Sequence, residues 1–193
     1  PLPTHYEPLE SVVKNGLYEQ QTNPASNKKE RPDNPYANPI ADPRFPYVLT
    51  TYRLTEHHTA GGMSRQLSHL SELQPELFTE ISPELAAEIG LENGGWATII
   101  TARGQIEARV LVTPRMRPLQ IDGRAVHQVG LPYHWGYRGQ VTGDVVNDLL
   151  VISEEPNVRI METKALTCNV APGRRPRGKE FLARMDELLG RSA

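Results

Sequence analysis

Cysteine is almost absent from the chain: Cys168 is the only one among 193 residues. A single thiol excludes an internal disulfide and a cysteine-ligated iron–sulfur cluster within this chain. No apolar run is long enough to span a bilayer as a helix, so direct membrane insertion is not expected. The formal net charge is only −2, which gives no support to nucleic acid as a partner.

Self-contained catalytic motifs are missing as well. The sequence has neither a P-loop nor a Rossmann glycine fingerprint, and no serine lies in a G-x-S-x-G elbow. His57 and His58 cannot chelate one ion together, because adjacent residues of an extended segment point to opposite faces. No HxxxH or CxxC spacing exists either. We therefore predict no metal ligands and no complete catalytic constellation.

Proline is abundant where periodic apolar pattern is scarce. Nine of the 17 prolines fall in residues 1–46, a composition that disfavours helices and sheet interiors. Two interpretations stay open: a flexible linker, or an extended arm that packs on the rest of a large subunit. Tyr6, Tyr18 and Tyr36 favour the arm, since disordered linkers are poor in aromatic residues. We expect an arm over 1–45, a folded domain over 46–171 and a basic tail with a short helix over 172–193.

After residue 45, β-branched and aromatic composition at 47–52, apolar alternation at 105–113 and flanking turn signals predict strands at 47–52, 78–81, 96–101, 105–113, 126–131 and 165–170. A short helix is expected at 67–73. Ser82 and Pro83 form a strong helix start, and Gly90 supplies a stop. A last helix at 181–189 should bury Phe181, Leu182, Met185 and Leu189. Short strands, frequent turns and brief helices predict a mainly β (α+β) fold built on a small closed barrel.

Four polar clusters stand out between these elements. The loop 53–65 combines two histidines, two arginines and a Gly-Gly pair, which suit a phosphate or a heterocycle edge but also suit a solvated loop. Residues 130–138 hold Tyr133, Trp135 and Tyr137, either a wall for a flat ring or part of the barrel core. The third cluster, 142–147, ends in Asn147, whose amide can read a ring edge. The fourth, 162–164, ends in Lys164.

Taken in order, these segments resemble the C-terminal domain of molybdopterin-dependent formate dehydrogenases, within the dimethyl-sulfoxide-reductase superfamily. The resemblance is carried by TYRLTEHHTAGGM at 51–63, LQPELFTEIS at 73–82 and VHQVGLPYHWG at 126–136. It continues through TGDVVN at 142–147 and from EPN at 155–157 to ETKA at 162–165. PLPTHYEP at 1–8 resembles the linker that leads into this domain.

The resemblance implies a double-psi β barrel that caps a much larger subunit. In the family this domain binds two molybdopterin guanine dinucleotides, which hold a molybdenum or tungsten ion. The implied cofactor-binding residues are Arg53, Thr55, His57, His58, Thr59, Met63, Ser64, His134, Trp135, Asn147 and Lys164. Such residues suit the ligand, since pyrophosphates take guanidinium and hydroxyl donors, and pterin rings take imidazole, amide and aromatic edges.

The family's metal-binding selenocysteine or cysteine and its iron–sulfur cysteines have no counterpart here. The resemblance therefore implies a cofactor-binding cap without catalytic residues of its own. Its expected partners are the rest of the large subunit and an iron–sulfur electron-transfer subunit, which together interconvert formate and carbon dioxide. We expect a prokaryotic protein, in the cytoplasm rather than the periplasm. The alternative hypothesis is a free-standing barrel that binds a nucleotide or a protein partner without redox chemistry.

Overall fold

A computed structural model describes residues 2, 8–17, 40–151, 153–161, 164 and 166–190. The predictions that concern Tyr6, Tyr18, Tyr36 and residues 162, 163 and 165 lie outside the described residues. The strands are β1 Tyr47–Tyr52, β2 Phe78–Ile81, β3 Trp96–Ile100, β4 Gln105–Val112, β5 Leu119–Ile121, β6 Arg124–Val126, β7 Gln128–Pro132 and β8 Leu166–Pro172. The helices are α1 Ser68–Leu73, α2 Pro83–Ile89 and α3 Lys179–Leu188, with 3-10 turns at Ser64–Gln66 and Val146–Leu149.

Six of the strands close a barrel in the order β1-β7-β2-β4-β3-β8. Two neighbouring pairs, β1 with β7 and β2 with β4, run parallel, whereas the other barrel pairs are antiparallel. The predicted mainly β fold, a double-psi barrel with a few short helices, is confirmed. Because β1 and β7 are parallel, the segments that follow them leave the barrel at the same end.

The barrel interior is filled by side chains, as expected for so few strands. Leu49, Ile81, Ile99, Val129 and Leu131 are fully buried. The helix start is also as predicted, since the Ser82 hydroxyl accepts a hydrogen bond from the backbone N–H of Leu85 at 3.1 Å. Gly90 ends α2 in the left-handed conformation, with a φ of 70°.

Two local predictions were wrong. The expected strand 126–131 is divided at His127, because the preceding residues pair as a separate β5–β6 hairpin and β7 begins at Gln128. In α3, Met185 is buried but Leu182 is 61% exposed. The described part of α3 therefore turns Leu182 away from the barrel, although the sequence pattern placed it on the apolar face.

Both ends of the described chain are tied to the barrel by buried carboxylates. Glu10 is 2% exposed and receives hydrogen bonds from Thr167 in β8. Glu107 in β4 receives the guanidinium groups of Arg174 and Arg177. Burial acts to raise the pKa of Glu107, but the hydrogen bonds from Arg174 and the charges of Arg174 and Arg177 together lower it, so the carboxylate of the tail anchor is charged.

Candidate functional site

A cavity of about 410 Å³ opens where the parallel strands β1 and β7 end. Its lining combines polar and apolar side chains. The polar part is supplied by Thr51, Tyr133, Asn147 and Lys164. The lining is completed by Leu150, Val151 and Met161. A concave, partly apolar pocket with a few convergent polar groups is the usual form of a small-molecule site.

Two cations gather around the aromatic ring of Tyr133. The Arg53 guanidinium carbon lies 4.7 Å from the ring centroid, and the Lys164 ammonium lies 5.8 Å from it. Lys164 also donates a hydrogen bond to the carbonyl oxygen of Thr51 at 2.8 Å. These contacts hold two positive charges beside an aromatic ring at the pocket, an arrangement suited to an anionic ligand that carries a flat ring.

Other predicted residues lie inside the loop that follows β1. The His57 ring donates through Nε2 to the carbonyl oxygen of Gln74 at 3.0 Å, and its Nδ1 lies 3.1 Å from the Ser64 hydroxyl oxygen. That hydroxyl accepts the backbone N–H of His58 at 3.1 Å. His57 and Ser64 are each 3% exposed, so their contacts with protein atoms fix the loop from within.

His134 is buried and links the two polar loops by hydrogen bonds. Its Nε2 accepts the backbone N–H of Leu54 at 2.7 Å, so Nδ1 carries the proton and donates to the carbonyl oxygen of Thr59. Burial lowers the pKa of His134, and the hydrogen bond to Thr59 offsets only part of that effect. The neutral ring satisfies both partners, and it stacks on Tyr133 at a centroid distance of 5.7 Å.

Arg65 joins the same two loops through backbone oxygens. Its guanidinium donates to the carbonyl of Arg138 at 2.9 Å, to that of Ala60 at 2.6 Å and to that of His134. Burial lowers the pKa of this 6%-exposed side chain. Gly61 makes the approach possible, because a Cβ there would lie 1.8 Å from the carbonyl oxygen of His134.

The eleven predicted cofactor-binding residues therefore divide into three groups. Arg53, Asn147 and Lys164 come together around the pocket and Tyr133. Among the remaining residues, those exposed on the loop are Thr55, His58, Thr59 and Met63. Those buried beneath the surface are His57, Ser64, His134 and Trp135.

Two residues of the site were absent from the predicted set. Tyr133 was noticed among the aromatic residues, but its position directly after a parallel strand was the signal that it borders the pocket. Arg65 gave no local signal, because a guanidinium in a polar loop looks solvated until its long-range carbonyl partners are known. Within the described part of the chain, no three His, Cys, Asp or Glu side chains are grouped to hold a metal ion.

Comparison with known proteins identifies the family of the barrel. The sequence profile of the "Molydopterin dinucleotide binding domain" family matches residues 47–165, which include β1, β7 and the pocket residues. The chain belongs to this family. The matched region starts at β1 and contains five of the described barrel strands. It ends just before β8, the strand that closes the barrel.

The chain is also similar to parts of much longer curated proteins. It is 41% identical over 170 residues to formate dehydrogenase 2 subunit alpha (cytochrome c-553) of Nitratidesulfovibrio vulgaris, covering 88% of this chain and 17% of that protein. It is 38% identical over 184 residues to the nitrate-inducible formate dehydrogenase major subunit of Escherichia coli, with the same two coverages. These identities confirm the resemblance to formate dehydrogenase large subunits. The chain spans about one sixth of the length of these relatives.

A solved structure supports the fold independently. Acetylene hydratase from Pelobacter acetylenicus matches with a TM-score of 0.53 at 14% identity, over 67% of this chain and 18% of that chain. At this identity the likeness concerns the barrel and its connections alone. No helix in the described residues is both long and apolar enough to cross a membrane.

Proposed function

We propose that the domain is the cofactor-binding cap of a formate dehydrogenase large subunit and binds molybdopterin guanine dinucleotide. The observation that carries the proposal is the pocket at the ends of β1 and β7, where Arg53 and Lys164 flank Tyr133. Family membership and the identity with formate dehydrogenase alpha subunits support it.

The residues fit the chemical groups of such a ligand. Arg53 is exposed and Lys164 lines the cavity, so both cations are available to phosphate oxygens. Asn147 offers an amide, with a donor and an acceptor, at the same cavity. The Tyr133 ring and the apolar wall suit one flat heterocycle, and a cavity of about 410 Å³ accepts one end of a dinucleotide rather than all of it.

The loop 53–65 completes the proposed site in two ways. Its outer residues Thr55, His58, Thr59 and Met63 are exposed and would contact the rest of the dinucleotide. The buried residues act on the ligand indirectly: His57, Ser64 and His134 hold the loop through their protein contacts. We assign Trp135 to this supporting group, since its ring packs edge-on against His57 at 5.2 Å.

When bound, the dinucleotide supplies the metal-based redox chemistry, and the domain supplies charge and orientation. We propose molybdenum or tungsten as the metal, iron–sulfur clusters elsewhere in the assembly and a prokaryotic cytoplasmic location. The proposed partners are the rest of the large subunit and an iron–sulfur electron-transfer subunit. The free-standing module is not favoured, because the chain corresponds to one sixth of each relative.

The test uses the natural gene product that carries this sequence, called the full-length polypeptide below, together with the subunits that copurify with it. Before denaturation, we expect the purified polypeptide to reduce a viologen dye in the presence of formate. After oxidative denaturation, we expect pterin fluorescence and a molybdenum or tungsten signal by mass spectrometry. A polypeptide that carries no pterin after expression in a molybdopterin-producing host would refute the function. A polypeptide that carries pterin but does not reduce the dye with formate would support the binding role and refute formate as the substrate.

A further inference from the structure

Glu10 is far from the pocket in sequence, yet it is connected to the pocket wall by two successive contacts. Its Oε2 accepts the backbone N–H and the hydroxyl of Thr167, each at 3.0 Å. Its Oε1 receives the guanidinium of Arg103. Glu10 is 2% exposed and the Arg103 side chain 11%, so this ion pair is shielded from water. Removing one partner of such a pair is destabilising, because it leaves the other charge buried and unpaired.

The opposite edge of the Arg103 guanidinium contacts the backbone of the pocket wall. Nε and Nη2 donate to the carbonyl oxygen of Leu149 at 3.2 and 3.0 Å. The hydroxyl of Thr101 donates to the same oxygen at 3.0 Å. Gly104, in the same β3–β4 turn, lets the backbone approach, since a Cβ there would lie 3.0 Å from the carbonyl oxygen of Asp148.

Leu149 is the last residue of the 3-10 turn Val146–Leu149, which carries Asn147. The next two residues, Leu150 and Val151, line the cavity together with Asn147. Three donated bonds on one buried carbonyl therefore fix the end of this turn, next to which the three lining residues lie. A planar guanidinium can serve both partners at once, because its donors point in fixed directions along two edges.

We propose that Glu10 is a positioning residue for the cofactor pocket: its carboxylate orients Arg103, and Arg103 holds the wall segment 147–151. The proposal rests on the proposed function of this pocket. It gives residues of the N-terminal segment a role in ligand binding beyond packing on a larger subunit. In this scheme Glu10 does not touch the ligand.

The experiment compares Glu10→Gln and Arg103→Lys with wild type in the full-length polypeptide. Glutamine is nearly isosteric but cannot neutralise the guanidinium, and lysine can pair with Glu10 but cannot also donate twice to Leu149. We expect amide hydrogen exchange at Asp148 and Leu150 to accelerate by about tenfold in both variants, as for loss of a charged hydrogen bond. Pterin occupancy should fall by about threefold or more in both.

Glu107→Gln is the matched control. It also neutralises a buried carboxylate paired with arginine, but its partners lie in the tail and not at the pocket wall. Arg174 and Arg177 are 56% and 63% exposed, so any loss of thermal stability should be no larger than in Glu10→Gln. Exchange at 148–150 and pterin occupancy should remain at wild-type values.

Unchanged exchange at 148–150 in Glu10→Gln or in Arg103→Lys would overturn the proposal. Equal occupancy losses in all three variants would also overturn it, because they would trace to general destabilisation. A wild-type polypeptide without pterin would refute the proposed function and with it the role in binding. In that case the exchange data alone would still decide whether Glu10 orders the wall.

Discussion

Gly61 provides the sharpest test of how the two polar loops are joined. It has a φ of 76°, and a Cβ at this position would lie 1.8 Å from the carbonyl oxygen of His134 and 2.6 Å from a guanidinium nitrogen of Arg65. Gly62 is the natural control, since a Cβ at that position would meet nothing within 4 Å and its φ is not in the left-handed range. The two substitutions therefore differ in environment but not in chemistry.

The magnitude for Gly61→Ala combines two costs. The left-handed conformation costs an alanine about 1–2 kcal/mol. Relieving the overlap requires the backbone to shift by more than about 1 Å, which adds about 1–3 kcal/mol as in overpacked cores. We expect a total loss of about 2–5 kcal/mol in the free energy of unfolding. Gly62→Ala should change it by less than about 1 kcal/mol, in either direction.

The assay is urea denaturation of the full chain, followed by tryptophan fluorescence because Trp135 packs directly against His57. The urea concentration at the midpoint of unfolding should fall for Gly61→Ala, whereas the slope of the free energy of unfolding against urea concentration should stay unchanged. Equal midpoints for the two alanine variants would refute the close approach between the loops. The same result would remove the argument that Arg65 reaches the His134 carbonyl across that glycine.

Three further predictions concern buried groups. Arg65→Lys should cost about 2 kcal/mol, because a single ammonium nitrogen cannot occupy the two separate positions from which Nε and Nη1 reach the carbonyls, and a midpoint equal to wild type would contradict the contacts. Because the pKa of His134 is lowered from its ordinary 6.5 in the folded state, the unfolded chain binds its proton first. The free energy of unfolding should thus be highest above about pH 6.5 and decline as the pH falls below that value. In unfolding measured from about pH 8 to about pH 5, the free energy of unfolding of His134→Gln should depend less steeply on pH than that of wild type. Burial raises the pKa of the Cys168 thiol, so it should react with a thiol reagent only at the rate of unfolding, and immediate labelling would contradict its placement.

The sequence was sufficient for the features that depend on local pattern. Strand composition, turn signals and the alternation at 105–113 marked β1 to β4 within a residue, and the Ser82–Pro83 pair marked the start of α2. His57 and His58 do differ in burial, one buried and the other exposed, although the chain bends at 55–57 and does not run extended there. These features require no knowledge of distant partners.

Features that depend on long-range contacts were not predictable in the same way. Glu10 lies in a segment with little apolar pattern, and only its contacts with Thr167 and Arg103 explain why a carboxylate is buried there. Leu182 fits an apolar face in sequence, but α3 buries Met185 instead. Which polar residues face the ligand and which support the loop depends on the barrel closure that brings β1 beside β7.

The most direct test of the central claim, that this pocket binds a pterin dinucleotide, is the pterin content of pocket variants. Arg53→Ala and Lys164→Ala are compared with Arg184→Ala, which removes an exposed cation from α3. In the full-length polypeptide we expect each pocket variant to lose pterin by about fivefold or more, as for a charge-assisted phosphate contact, and Arg184→Ala to match wild type. Wild-type pterin content in both pocket variants would contradict the claim.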